Sequence, residues 1–438
     1  MRHDHDTTRP SLAGWVRDRA IPFSFEPGGG LDSAVDRVVD ACTDPVEVLG
    51  LGEGLHGDRE ILTFRNRLFR RLVESHGYTA IALESSYPRG RVLDGWIDGR
   101  SPAPFEDVRD DGFSHGFGRL EANRELAEWM RTYNGEQHRS TRLRFYGFDA
   151  PTEMTHADSP RGLLGVSLSY LGGIDGVSGS ARRERIDALL GPDTEWENPG
   201  AMMDPSLSIG RSPNAVALRA ETEDLISELM VRRPELAAVT GEERFLEAVQ
   251  FARAGRQLLA YHAAVAQTGG SERTARLLGM RDAMMADNLA YIAARERSRG
   301  GRVLVHAHNS HLRLGQAEWV LAGTRLAWWT AGAHLDLVLG RRYAVIGTAV
   351  GVSVGAGISR PEPGTLEALL VAAPGPARFV PTRRGRDLPD PGTGGLRPRS
   401  GSTGNPTYFP LTPKSPAEYD WLVAFDETAP DPGLGEVH

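Results

Sequence analysis

The sequence predicts an α/β protein with a mainly parallel central sheet flanked by helices. Two observations point there. Short apolar runs of buried-strand type recur along the chain, and segments with helical periodicity separate most of them. The chain has 438 residues, 40% hydrophobic and 25% charged, which is ample for a large core.

The strand candidates are Val46–Leu51, Tyr78–Leu83, Leu143–Phe148, Arg302–His306, Tyr343–Thr348 and Trp421–Phe425. The helix after the first is the clearest. Ile61, Phe64, Leu68, Phe69, Leu72 and Val73 form one apolar stripe, and Gly77 stands where a helix stop belongs. Arg65 lies on that stripe, and a charge on a buried face needs a partner. Glu121–Tyr133 reads as a second helix leading into the strand at Leu143.

Residues 151–215 are rich in Gly, Ser, Pro and Asp, and read as a lid-like insertion. Residues 216–298 are strongly helical, with breaks near Pro234 and at Gly269–Gly270. Residues 351–415 read as long loops with short strands. The expected division is 1–150 for the first part of the α/β core with the Glu/His site. Residues 151–298 would be the insertion and helical subdomain, and 299–438 the rest of the core with a loop-rich end.

Composition excludes several classes. The net charge of -8 with no basic stripe argues against nucleic acid as a partner. Cys42 is the only cysteine, so intrachain disulfides and cysteine-based zinc sites are out. The polar N-terminus MRHDHDTTRP lacks the apolar run of a signal peptide, and no stretch reaches the length of a membrane span. A cytoplasmic protein with no membrane partner is expected. Nothing in the sequence specifies an oligomeric state.

The chemistry concentrates where strands end. Val46–Leu51 leads to GEGLHG, with Glu53 and His56 three residues apart. The next three runs lead to Glu84, to Asp149, and to His306, His308, Asn309 and His311. Ligands of open α/β sheets bind beyond the carboxyl ends of the strands. Helix capping could account for Asp149 alone, but not for three histidines within six residues. A carboxylate beside an imidazole makes a general-base pair suited to neutral pH. Glu84 could bind substrate, hold water or support His56.

HAHNSH admits three readings: a metal site with Glu53 and Glu84, donors for a developing oxyanion, or structural histidines. The H-E-x-x-H and G-x-S-x-G patterns are absent. GEGLHG matches the dinucleotide spacing, but Glu53 sits where a pyrophosphate would lie.

GEGLHGDREI, RNRLFRRLV and YTAIALESSYP, followed in order by AEWMRTYN, FYGFDAP, MRDAMMADNLAYI, VHAHNSHL, RRYAVIGTAVG, GTLEALL and YDWLVAFDE, resemble the erythromycin esterase family over roughly residues 45–425. The resemblance implies an additional helical subdomain forming a deep active-site cleft against the α/β core. It also implies hydrolysis of a macrolide lactone without a covalent serine intermediate. His56 matches the family's base, Glu53 and Glu84 its carboxylates, Arg65 its arginine, and His308 with His311 its later pair. The partner implied is a small macrolide or polyketide-like molecule. No cofactor is expected, with a divalent metal left open.

Three departures touch the cleft walls: Gly54-Leu55 between Glu53 and His56, His115 in a stretch usually rich in tryptophan, and His306 where an aromatic residue is common. His115, Asp149, His306 and Asn309 are therefore candidate substrate-binding residues. The expected reaction is opening of a lactone or ester by water. Alternatives are intramolecular cyclisation, elimination or rearrangement in a biosynthetic pathway, a metal-dependent hydrolase using His308, His311, Glu53 and Glu84, and non-catalytic macrolide binding.

Overall fold

A computed structural model describes residues 11–433, except 43, 137–140, 153–155, 322, 387, 390–394 and 403–404, and except the side chains of 177–180. The N-terminal segment read for targeting lies outside the described residues. The main sheet has eight strands: β1 (Ile21–Phe23), β2 (Val48–Glu53), β3 (Ala80–Ser86), β4 (Arg144–Asp149), β5 (Val303–His308), β8 (Tyr343–Val352), β9 (Ala377–Pro381) and β10 (Trp421–Glu427). Their order is β1-β9-β10-β8-β2-β5-β3-β4. The six strands from β10 to β4 are parallel, and β9 runs antiparallel to both its neighbours. A separate hairpin pairs β6 (Gln316–Leu321) with β7 (Thr324–Trp329).

All six expected strands are present, and most run past the apolar residues that mark them in the sequence. β2 continues to Glu53, β3 to Ser86 and β5 to His308. The polar residues at those ends are thus part of the ladder itself, as in the pairing of Glu53 with His308. Strand alternation sends Leu49, Leu51, Ile81 and Leu304 to one face, under the helix Arg59–His76. Val48, Val303, Val305 and Ala307 go to the other face, against Met285, Leu289 and Ile292 of the helix Gly270–Ser298.

Local signals explain the first helix. The Asp58 side chain accepts from Ile61 N at 3.1 Å, and Gly77 closes the helix at φ 70°. The break expected near Pro234 separates the helices Pro213–Val231 and Arg233–Thr240, and the one at Gly269–Gly270 separates Glu242–Val265 from Gly270–Ser298; a further break, at Gly241, was not expected. Residues 151–215 differ from expectation. They form helices at Arg161–Asp175 and Val177–Leu190, and Leu164, Leu168 and Leu171 pack with Leu218, Leu225 and Phe245 in a core of their own. Their glycines and serines dilute the periodicity, while tertiary packing makes them helical. No helix among the described residues is long and apolar enough to cross a membrane.

Where β2 leaves β8, a side chain takes over. The ladder between them ends at Leu51 with Ile346, and the Asn309 amide then donates to Thr348 O at 2.9 Å and accepts from Thr348 N at 3.1 Å. Gly52 lies directly beneath that amide, and a Cβ there would collide with it. Gly52→Ala should therefore cost about 1–3 kcal/mol in urea denaturation. Gly165→Ala, in an open helical position, should leave stability unchanged or raise it by up to about 1 kcal/mol.

Candidate active site

Four adjacent strands, β2, β5, β3 and β4, bring their carboxyl ends to one edge of the sheet. Glu53 ends β2, and the turn GEGLHG carries His56 back beside it. His56 Nδ1 lies 2.7 Å from Glu53 Oε1. The carboxylate fixes the ring proton on Nδ1, which leaves the Nε2 lone pair of neutral His56 outward. His56 is about a quarter exposed (24%), whereas Glu53 is buried. Burial disfavours the charged imidazole, but the carboxylates of Glu84 and Glu53 outweigh it and raise its pKa above 6.5. Glu53 itself is held low: burial opposes its charge, and His306 and His56 overcome that.

The two histidines of HAHNSH expected to act as a pair have opposite environments. His308 Nδ1 accepts from Ser310 N at 3.1 Å and lies 2.7 Å from Ser310 Oγ. Its proton is therefore on Nε2, which is buried and meets no hydrogen-bond partner among the described residues. Burial, reinforced by His56, pushes its pKa down to about 3, so the ring is neutral. The His56 and His308 ring centres are 5.0 Å apart.

His311 lies between carboxylates instead. Its Nδ1 is 3.0 Å from Asp282 Oδ1, and its Nε2 is 3.3 Å from Glu84 Oε1. Burial opposes its charge, but Asp282 and Glu84 prevail and raise its pKa to about 10. This ring is an imidazolium at neutral pH.

A bulge between Leu83 and Ser86 interrupts the pairing of β3 with β4. At that point Glu84 Oε2 accepts from His308 N at 2.7 Å and Oε1 accepts from Arg281 Nη2 at 2.9 Å. Arg281 also donates from Nε and Nη2 to Asp149, at 2.9 and 2.6 Å. His115, in the left-handed region at φ 57°, lies 3.0 Å from Asp149 through Nε2. Burial opposes ionisation of Glu84 and Asp149. His311, His56 and Arg281 around Glu84, and Arg281 with His115 around Asp149, hold both low.

Arg65 is buried on its stripe as expected. It donates to Asn66 Oδ1 and to Ala122 O, and burial pulls its pKa down to about 10 against the charges of Glu53 and Asp431. Arg65, Asn123, Glu53, Glu84, His306 and Phe117 border a small void with room for about one water molecule. A larger pocket of about 400 Å³ lies at the opposite edge of the sheet, beside Cys42, His76, Tyr78 and Arg302, away from this cluster.

All four residues expected to bind substrate have partners within the protein: Asp149 is buried and held by Arg281 and His115. Asn309 braces Thr348 with both ends of its amide, and both ring nitrogens of His306 face acceptors, Leu51 O at 3.0 Å and Glu53 Oε2 at 3.2 Å. Arg281 and Asp282 carried no assignment from the sequence. Their signal was an adjacent charge pair inside an otherwise apolar helix face, with Asp282 fully buried. Phe409 was also not foreseen. Its N–H donates to Gly54 O at 3.1 Å, and its ring stands 4.9 Å from that of His308. Among the described residues, no group of three or more His, Cys, Asp or Glu side chains is arranged to hold a metal ion.

Comparison with known proteins bears on the chain as a whole. The erythromycin esterase family profile matches residues 73–428, so Glu53 and His56 stand ahead of the matched region. An erythromycin esterase type II from Escherichia coli is 28% identical over 138 residues, 31% of each chain. The aligned part is thus under a third of that relative. Among solved structures, a Bacillus cereus protein superposes with a TM-score of 0.72 at 18% identity, covering 97% of this chain and 98% of that one. A succinoglycan biosynthesis protein gives 0.69 at 18% identity, covering 96% and 97%. A mutant of the erythromycin esterase EreC in its open conformation gives 0.64 at 17% identity, covering 93% and 98%. At these identities the structural likeness shows the fold.

The buried imidazolium makes stability depend on pH. His311 holds its proton up to about pH 10 in the folded chain, against about 6.5 when unfolded. Its stabilisation is complete below pH 6.5 and is lost as pH rises through 10. In urea denaturation across that window, Asp282→Asn should move this loss to lower pH.

Proposed function

The chain belongs to the erythromycin esterase family, and we propose that it hydrolyses the lactone or ester of a macrolide-like substrate. The observation that carries this is the facing pair of imidazoles. His56 has its Nδ1 proton held by Glu53, and the neighbouring neutral His308 presents a buried Nε2–H that meets no partner among the described residues. A base and an uncommitted donor side by side are what water attack on an ester carbonyl requires.

In the reaction we assign, His56 Nε2 takes a proton from water as the oxygen bonds to the carbonyl carbon. The carbonyl electron pair moves onto oxygen, where the His308 Nε2–H stabilises it. When the tetrahedral intermediate collapses, the carbon–alkoxide bond breaks, and protonated His56 returns the proton to the leaving alkoxide. Glu53 keeps His56 in the required tautomer and stabilises the imidazolium that forms. Arg65 adds positive potential behind Glu53. Glu84 and the charged His311 act as positioning residues, because their polar atoms are bound to each other, to Arg281, to Asp282 and to the His308 backbone.

A neutral imidazole as electrophile follows from low basicity: with its pKa pushed down to about 3, the ring is an uncharged N–H donor at neutral pH. The steps need no metal, since the ring nitrogens and carboxylate oxygens that could ligate one are largely hydrogen-bonded already. Activity on macrolide lactones should survive exhaustive chelation. Loss on chelation with recovery on adding zinc or manganese would overturn that assignment.

The full chain should be assayed by mass spectrometry against a panel of macrolide lactones in water enriched in heavy oxygen. Hydrolysis places one labelled oxygen in the product. An unlabelled, rearranged product would show the intramolecular reaction instead, and tight binding with unchanged mass would show a binding protein. His56→Ala should lower kcat/KM by about 10²–10⁴-fold with the thermal midpoint preserved. His308→Phe should lower kcat by about 10²–10³-fold. The acid limb of kcat/KM should lie above pH 6.5, because the base works unprotonated and its pKa is raised.

A further inference from the structure

We propose that His306 is a positioning residue for the base: as a buried imidazolium it holds the second oxygen of Glu53, fixing the first on His56 and offsetting the charge that His56 sees. The inference rests on the reading of His56 as the base.

The register of β2 with β5 sets the geometry. Leu51 pairs with His306 and Glu53 pairs with His308, so His306 stands one pleat behind the base. Its Nδ1 faces Leu51 O at 3.0 Å and its Nε2 faces Glu53 Oε2 at 3.2 Å. A carbonyl and a carboxylate can only accept, so both contacts are satisfied together only when both ring nitrogens carry protons. The residue is 4% exposed, with no nitrogen left for a ligand.

Glu53 therefore bridges two imidazoles, one oxygen to each. This arrangement has two effects. The carboxylate cannot rotate without breaking a charge-assisted hydrogen bond, so the His56 ring is held in one orientation. The pair Glu53–His306 is also close to neutral overall. His56 keeps its hydrogen bond to Glu53 but is not driven into a permanently protonated state, in which it could not accept a proton from water.

The other charges facing these groups are accounted for. Glu84 and His115 act on His56 from β3 and from the segment before the helix at Glu121, while the neutral His308 of β5 stands beside it. Arg65 reaches Glu53 from the helix Arg59–His76, and Arg65 and Glu84 border the same void as His306. None of these bonds the Glu53 oxygen that His306 holds.

The test is a titration of His56 by NMR in the full chain with labelled histidine, its signal assigned from His56→Gln. The wild type is compared with His306→Gln, which can still donate to Glu53 but carries no charge, and with His306→Phe, which does neither. Removal of the cation should raise the His56 pKa by about one pH unit in both variants. The acid limb of kcat/KM should move with it. At the high-pH plateau His306→Gln should retain most of kcat, whereas His306→Phe should lose about tenfold with KM unchanged. An unshifted His56 titration in both variants overturns the proposal, as does a change confined to KM, which would mark a substrate contact. If His306→Phe does not fold, the titration of His306→Gln decides. The titration requires no turnover. A shifted His56 in a chain that hydrolyses nothing would sustain the positioning role while the hydrolase reading fails.

Discussion

The Arg281 guanidinium is the interaction on which the cluster depends. Glu84 and Asp149 end neighbouring strands, and both are buried. Two carboxylates so close in a poorly solvated region would not both remain ionised without a compensating charge. Arg281 supplies it by donating to both at once. Because Arg281 belongs to the helix Gly270–Ser298, the same contact ties the helical part of the chain to the carboxyl edge of the sheet. The next residue, Asp282, extends that tie by accepting from His311, from Trp328 Nε1 and from Ala331 N.

With the carboxylates ionised, the histidines can differ. His308 and His311 are three residues apart on one short segment, yet one is neutral and the other charged. A backbone N–H and a hydroxyl engage Nδ1 of His308, while carboxylates flank both nitrogens of His311. The difference comes from the partner atoms, two of them delivered by a helix and a strand distant in sequence. A neutral donor beside His56 and a fixed cation behind Glu84 are separate uses of one residue type.

The ordered strands and their polar ends were legible in the sequence because both arise from local pattern. Runs such as Leu143–Phe148 are short, apolar and bounded, and the polar residue following each is read off directly. The pairing of Glu53 with His56 also follows from three-residue spacing across a glycine turn. The edge strand β1 was not legible, since it has only three residues and its partner β9 lies far along the chain. The hairpin β6–β7 was missed for another reason: its two strands are mostly exposed, so no buried apolar run marks them. The helices from 161 to 190 were hidden for the opposite reason. Their glycines and serines obscure the period, and burial of Leu164, Leu168 and Leu171 against other helices decides their state.

By itself the sequence determined which residue types stand at the strand ends, the helix that Arg65 rides, and the family to which the ordered motifs belong. Tertiary structure alone decided how those residues divide the work. It placed Arg281 and Asp282 against carboxylates from distant segments, turned Asn309 into a brace for Thr348, and set His306 behind Glu53. The physical reason is that an imidazole or carboxylate takes its charge state from the atoms within hydrogen-bond reach, and in this protein most of those atoms come from other strands and helices.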